Sequence, residues 1–472
     1  MTESDAILSL TLAEAIAKAD AVIGMQVRIK DRNNALMEYK AIYGTPDGYK
    51  DVLAAGSGLQ LSVVSANDID LKWFGATGDG LTNDSAAIAS AESFIENGNI
   101  NISSGKYIGK MVSSKKFALG LTGQGENSTT IITPLNSDSA FSVSAGDEFR
   151  FVSIENVSFY QDGWDMMNQG TGVGVDLTAG ITSVNYTLRN VSVNYFNIGI
   201  ESSPNAFSNQ WDNVRASFCN QSFRFVGSGQ LINHTINNAY SSQPVVNGVF
   251  ISGCKDFVFN AYNSGSSGAP HVNIAGGSFG IIFNSPNFEQ DLGVIAANSE
   301  CVRCQSNSES TFNYPTFASP ASSDSTAYLF RVIETAVVYI NNPKIISSDA
   351  NIQHILVQDD AVVYLNDPKG VFDKSKITIL GNGKLIIINS EANWSSSGSI
   401  ASHPSGSPIT TGLSTIPVDY QVEIDPSVSG DAIIAIQPQI TQLGTGTLKI
   451  RYVNIATGAE NFSSWPIRWR AR

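Results

Sequence analysis

The sequence predicts an all-β chain wound as a parallel β-helix, a solenoid of stacked rungs spanning about residues 71–394. Three observations predict it: a repeat of strand-forming segments in the twenties of residues, a composition poor in charge and rich in turn formers, and a glycine turn leading into a short helix that can cover a solenoid's open end. A cap or adaptor (1–70) precedes the solenoid. A linker (395–410) and a β-sandwich-like module (411–472) follow it.

The repeat comes first because it fixes the architecture. Ile281–Pro286 (IIFNSP), Ser310–Pro315 (STFNYP), Val337–Pro343 (VVYINNP) and Val362–Pro368 (VVYLNDP) share apolar residues followed by Asn and Pro. Earlier segments fit with an aromatic in the proline place: VNYF at Val193, RASF at Arg215, NNAY at Asn237 and FNAY at Phe259. The column runs Asn194, Ala216, Asn238, Asn260, Asn284, Asn313, Asn341, Asn366, in steps of 22, 22, 22, 24, 29, 28 and 25. A sustained period of this size is the mark of a solenoid. Alternating apolar residues with Asn, Gly and Pro bends make its units strands. Stacked at about 4.8 Å, the side-chain amides can bond from rung to rung, so these asparagines are read as structural. Each rung divides into three strands. The rung around Asn260 reads Asp256–Phe259, a bend, Tyr262–Ser264, a loop, and His271–Ile274. Residues Asn156 to Asn190 make one rung with an insert of about a dozen residues.

The composition agrees. Only 15% of the 472 residues are charged and 42% are hydrophobic, against roughly 25% charged in an average globular domain. The net charge of -14 argues against a nucleic-acid backbone as partner and offers no polybasic patch for a membrane surface. Any anionic polymer must be met by local cations. Cys219, Cys254, Cys301 and Cys304 are read as structural thiols, since the lone CxxC at 301–304 lacks a second pair of zinc ligands. No metal or other cofactor is implied. The apolar runs Ala361–Leu365 and Leu385–Ile388 are strand-length, so no membrane insertion is expected. The acidic start MTESDAILSLTLAEAIAKAD is no secretory signal, which suits a protein made in a cytoplasm and released by lysis.

At the N-terminus, residues 6–19 read as an amphipathic helix with Leu8, Leu12, Ala15, Ile16 and Ala19 on one face. Gly24–Val64 reads as short strands with turns at Asp31–Asn34 and Pro46–Gly48. At the C-terminus the repeat fades after Gly381. Ser395–Pro408 is a Ser/Gly/Pro linker, and alternating segments such as Thr447–Ile455 predict the terminal β-module.

Trp73–Phe94, WFGATGDGLTNDSAAIASAESF, is the most specific segment. It reads as a short strand, a glycine turn and a helix, with Asn83 or Asp84 accepting the free amides at the helix start. Ala86, Ala87, Ala89 and Ala91 favour the helix. The segment resembles the signature that opens the β-helix in the pectate-lyase-like superfamily, common in phage tailspikes and capsular depolymerases. Phe74-Gly75-Ala76, Gly78-Asp79-Gly80, Asn83-Asp84-Ser85 and Ala87-Ile88 match it. Trp73 and Asn83 stand where that family carries acids. The resemblance implies a right-handed helix and a virion tail location. It implies a homotrimer, a terminal module that locks the trimer or binds sugar, and contact with other tail or baseplate proteins through the N-terminus. The motif carries no catalysis.

For chemistry, no Ser-His-Asp elbow, P-loop or HExxH is present, and Gly276-Gly277 follows no βα unit. Carboxylates on a solenoid face remain. Glycoside hydrolysis needs two of them, whereas lyase chemistry needs a base and a cation. One cluster gathers Glu201, Arg224, His271, Glu289 and Asp291 on the first strand and its loop. A second gathers Asp212, His234, Asp256 and Glu309 at the start of the second strand. There Asp212 and Asp256 stand two rungs, about 9.5 Å, apart, at the upper limit for an inverting pair. Glu289, Asp291, Glu201, Asp212 and Asp256 are the catalytic candidates. Arg224, His234, His271, Trp164, Trp211 and Tyr262 are the substrate-binding candidates, the aromatics because their faces suit sugar rings. Acids outnumber lyase bases, and there are four histidines. That balance favours hydrolysis, and the resemblance implies a bacterial surface polysaccharide as the polymer cleaved. A non-catalytic receptor-binding spike and a lyase are the alternatives, with a secreted pectinase-like enzyme third.

Overall fold

The structure is a computed structural model. It describes residues 68–388 apart from short internal segments, the longest being 144–150, 164–170, 179–184, 290–299 and 319–326, together with the backbone of strands nearer both termini. The chain divides into two compact units, Met1–Ser267 and Gly268–Arg472.

The first unit opens on a five-stranded sheet built from Leu8–Leu10, Gln26–Ile29, Met37–Ile42, Asp51–Ala54 and Leu59–Val63. Leu8–Leu10 pairs in parallel with Val27–Ile29, which corrects the expected helix at those three residues. A free sheet edge captures a Leu-Ser-Leu triplet whose alternation suits a strand as well as a helix. The rest of the 6–19 span lies outside the described residues.

The opening segment then folds much as expected. Leu71–Phe74 is a short 3-10 turn rather than a strand, closed by Gly75 at φ 91°. Asp79–Asn83 is extended and helix α1 covers Ser85–Phe94. Asn83 accepts the Ser85 amide at 3.0 Å. Asp84 turns the other way and accepts from the Thr77 and Gly78 amides at 2.8 and 3.3 Å, so it pins the glycine turn. At Gly78 (φ 66°) a Cβ would fall 2.7 Å from the Tyr107 ring, so only glycine fits. Ala87, Ile88 and Ala91 of α1 are buried, with Ile88 packed closely over Gly109.

From there the chain winds in parallel rungs. First strands pair in sequence through Met111–Ser113, Ser139–Val143, Val173–Leu177, Ile198–Ser202, Gln221–Phe225 and Asn247–Ile251. Second strands run through Ala118–Thr122, Phe151–Glu155, Thr187–Arg189, Gln210–Asp212 and Thr235–Asn237 to Val258–Asn260. Third strands run through Val191–Asn194, Val214–Ser217 and Tyr240–Ser242 to Asn263–Gly265. Alternate side chains point inward and make the core. Ile154, Leu188, Trp211, Ile236 and Phe259 line the second-strand side, all at most 1% exposed.

In the second unit the Asn column is borne out. Asn284, Asn313, Asn341 and Asn366 stand in register. Asn313 donates its amide to Asn284 at 2.8 Å and Asn341 donates to Asn313 at 2.9 Å. The next residue makes the bend at positive φ in Ser285, Tyr314 and Asn342. Phe283 and Phe312 stack inside at 5.1 Å.

In the first unit the column is corrected. Asn260 is in register with Asn237 and Asp212. Asn238 is the exposed bend residue, at φ 52°. Asn194 and Ala216 lie on third strands, where Asn194 pairs with Ser217. The slip arises because asparagine here also occupies the bend itself, at Asn156, Asn190, Asn213 and Asn238, all at positive φ. Asparagine tolerates that left-handed backbone. Asn190 donates to Asn156 and Asn213 to Asn190, at 2.8 and 2.9 Å, making a second ladder one residue along.

Near the C-terminus, Tyr420–Ile424 pairs antiparallel with Ile467–Ala471, and Ile433–Ile440 with Leu448–Arg451. The linker and the remainder of the expected terminal module lie outside the described residues.

Candidate functional site

The first-strand side of the first unit carries one outward column, Ser142, Asp176, Glu201, Arg224 and Phe250, in register from rung to rung. Strand alternation puts it there. Val175 and Leu177 flank Asp176, Ile200 and Ser202 flank Glu201, and Phe223 and Phe225 flank Arg224. All six flanking residues point inward, at most 1% exposed. Glu201 and Arg224 were expected to share a site, and the structure brings them together, with Arg224 Nε 3.3 Å from Glu201 Oε1. Asp176 was not anticipated. In the sequence it is one acid in VGVDL, and only the pairing register shows it one rung from Glu201.

The two carboxylates sit in different surroundings. Asp176 Oδ1 accepts from the Thr178 amide (2.9 Å) and hydroxyl (2.6 Å), and its Oδ2 from Ser139 at 3.5 Å. Glu201 has a side chain only 16% exposed. Burial pushes its carboxyl above the ordinary range, Arg224 pulls it back, and the nearby Asp176 charge adds to the rise. Adjacent rungs hold neighbouring Cα atoms about 4.8 Å apart, so the register sets the two acidic side chains next to each other.

The other acids fare differently. Asp212 ends its second strand and accepts from Asn237 at 2.6 Å and Gln210 at 3.2 Å. Asp256 is an exposed bend residue at φ 56°. Since Asp212 is in register with Asn260 through Asn237, Asp256 lies four residues, about 13 Å, further back along the strand. The expected pairing of Asp212 with Asp256 is therefore corrected. In the second unit, Glu289 is half-buried on a third strand and accepts from Asn287 at 2.7 Å. Asp291 and Trp164 lie outside the described residues.

Four expected binding residues are core residues instead. Trp211, His234 and Tyr262 are 0% exposed and His271 is 1% exposed, which denies each a direct contact with a polymer on the surface. Trp211 packs on Phe225 at 5.2 Å. His234 stacks on Phe257, and its Nδ1 lies 3.0 Å from the Asn209 amide. Tyr262 meets Phe259 edge-on and His271 packs against Phe288. Each occupies an inward or covered position of its strand, which a large polar ring fills as well as an aliphatic one. The four cysteines are also buried, and burial pushes the thiols of Cys219, Cys254 and Cys304 up to about 12. Among the described residues no helix is long and apolar enough to cross a membrane.

Comparison with known proteins places the fold. No protein-family model and no curated protein matches the chain. Among solved structures, the gp42 tailspike of Acinetobacter phage vb_AbaP_AS12 is similar over 99% of this chain and 94% of its own, at 11% identity and a TM-score of 0.61. The enzymatically active domain of tailspike protein 2 from bacteriophage CBA120 is similar over 94% of this chain and 69% of its own (14% identity, TM-score 0.55). Full-length tailspike protein 2 from an Escherichia coli O157:H7 bacteriophage matches over 79% of this chain at 13% identity and a TM-score of 0.53. This chain spans 55% of its length. The chain thus has the parallel β-helix fold of these phage tailspikes.

Proposed function

We propose that this chain is a virion tail protein that binds a bacterial surface polysaccharide and cleaves it by glycoside hydrolysis. The observation that carries the reading is the Asp176–Glu201 pair, two outward carboxylates on adjacent rungs in unlike environments. Glu201, pushed up by burial, holds a proton to give to the leaving glycosidic oxygen. Asp176, held by three hydrogen bonds, attacks the anomeric carbon or activates the water that does. Arg224 keeps Glu201 in place and sets how firmly it holds its proton. One carboxyl that donates a proton beside a second that attacks or activates water is the usual arrangement for this chemistry.

Two further facts support the reading. The solved structures of like fold include a tailspike domain described as enzymatically active. A histidine base for a lyase reaction finds no support at His234, His271 or His354, each at most 4% exposed. The homotrimer and the N-terminal docking on other tail proteins belong to the same proposal, by analogy of fold alone. The deciding experiment incubates the protein with capsules and lipopolysaccharides from a panel of strains and analyses released oligosaccharides by mass spectrometry. Saturated oligosaccharides are expected. Products absorbing near 232 nm, the mark of unsaturated uronides, overturn hydrolysis, and no release from any glycan overturns cleavage.

A further inference from the structure

The second unit carries a cationic pair that the mechanism above does not use. In the first strands Glu300–Cys304 (ECVRC) and Tyr328–Val332 (YLFRV), Val302 pairs with Phe330 and Arg303 with Arg331. Val302, Cys304, Phe330 and Val332 are 0% exposed, so both arginines leave from the outward side, about 4.8 Å apart at their Cα atoms. Two like charges so placed repel. The fold answers with Glu300, itself 0% exposed, whose Oε1 lies 2.5 Å from Arg303 Nη2 and whose Oε2 lies 3.6 Å from Arg331 Nη1. Burial drives the Glu300 carboxyl up and the two guanidiniums draw it back.

A buried carboxylate between two arginines is a poor stabilising device, because desolvation offsets most of the attraction. It is a good orienting device, holding two long side chains in one posture from behind. Both side chains reach the surface in part, Arg303 at 30% and Arg331 at 27% exposure. A guanidinium has five donors in a fixed fork. Glu300 engages the Nη2 end of Arg303, and the Nε of each arginine is buried, which leaves recognition to their Nη groups. Asn273 stands in register with Arg303 on the preceding rung and extends the column. Forks of this kind match a planar carboxylate by paired hydrogen bonds. With a net charge of -14, the chain repels an anionic polymer at a distance, so recognition of one needs a local site like this.

We infer that Arg303 and Arg331, set by Glu300, form a subsite for a carboxylate-bearing sugar unit, and that the polysaccharide is acidic. The inference rests on the reading that the chain binds a polysaccharide. Isothermal titration of the full chain with glucuronic acid oligomers, neutral glucose oligomers of equal length and inorganic phosphate tests it. The glucuronate oligomers should bind at least about tenfold tighter than the neutral ones. Replacing the three charges together by apolar groups of similar size (E300M/R303L/R331M) should leave the circular dichroism unchanged and bring the preference within about twofold. Should that variant fail to fold, R303K/R331K keeps the charge, loses the fork, and should lose most of the preference. No preference in the wild type, a preference retained in a folded variant, or phosphate binding as tightly as glucuronate overturns the subsite. The two readings fail separately. Cleavage of a neutral glycan by wild type and variant alike removes the subsite and leaves hydrolysis. A glucuronate preference with no glycan cut removes hydrolysis and leaves the subsite.

Discussion

Glu201 and Arg224 stand on adjacent rungs of one outward column, with Arg224 Nε 3.3 Å from Glu201 Oε1, and the same column brings Asp176 beside Glu201 from the other side. One carboxylate thus has a cation on one flank and a second carboxylate on the other. Glu201→Gln and Asp176→Asn should each slow depolymerisation by about 10²–10⁴, the range of a positioned proton transfer. Neither should shift the circular dichroism. Release of reducing ends from the susceptible glycan measures this, and unchanged rates in both variants remove the pair from the mechanism.

Arg224 gives a prediction with a sign. Its charge lowers the proton affinity that burial raises in Glu201. A general acid acts protonated, so activity falls as pH rises through the Glu201 pKa. Arg224→Met takes away the lowering influence, so the Glu201 pKa rises further and the upper limb of the kcat profile moves to higher pH. A profile that stays in place, or moves to lower pH, shows that Glu201 is not the acid.

The fold was legible because its signals are periodic. Asn284, Asn313, Asn341 and Asn366 repeat because one bend repeats, and the strand register confirms each of them. The site was legible only in part, because it depends on which residues face each other across rungs 22 to 29 residues apart. Glu201 and Arg224 stand 23 apart in the sequence and Asp176 and Glu201 stand 25 apart. Such uneven steps are set by loop lengths that no local pattern announces. Trp211 and His234 failed for another reason. Their chemistry suits both a sugar platform and a core, and the parity of a strand decides between them. A one-residue slip in the assumed bend exchanges inside for outside, and asparagines both at the bend and before it hid that slip.

His234 is the clearest consequence of that burial. Its ring lies 4.2 Å from Phe257 at an interplanar angle of 14°, and burial lowers its pKa to about 3. The unfolded chain binds a proton near pH 6.5, so between those values the unfolded state holds more protons than the folded one. Stability from this residue is therefore complete above about pH 6.5 and falls as the solution is acidified towards pH 3, by about 1.4 kcal/mol per pH unit. His354, lowered to about 4 by burial and by Lys376, adds to the same loss over a narrower range. Urea denaturation at pH 7, 6 and 5 should show the decline, and His234→Phe should flatten it. A wild type equally stable at pH 7 and pH 5 contradicts the burial of both rings.

Asn313 tests whether the ladder holds the second unit together. Its amide donates to Asn284 at 2.8 Å, and its carbonyl accepts from Asn341 at 2.9 Å. The three residues are half-buried, so water replaces lost partners incompletely. Asn313→Ala removes one donor and one acceptor and leaves a neighbour on each side short of a partner, at a cost of about 1–3 kcal/mol. Asn313→Asp separates hydrogen bonding from bulk. The carboxylate still accepts from Asn341 but has no hydrogen to give Asn284, so only the lower link breaks. Asp212 already plays this part in the first unit, where it accepts from Asn237 and starts the ladder. Stability should therefore rank wild type, then Asp, then Ala, in urea midpoints at neutral pH. Protonating the aspartate restores a donor, so the gap between wild type and Asn313→Asp should close as pH falls below about 4. Equal midpoints for wild type and Asn313→Ala would show that backbone pairing and the Phe283–Phe312 stack hold the rungs without the amides.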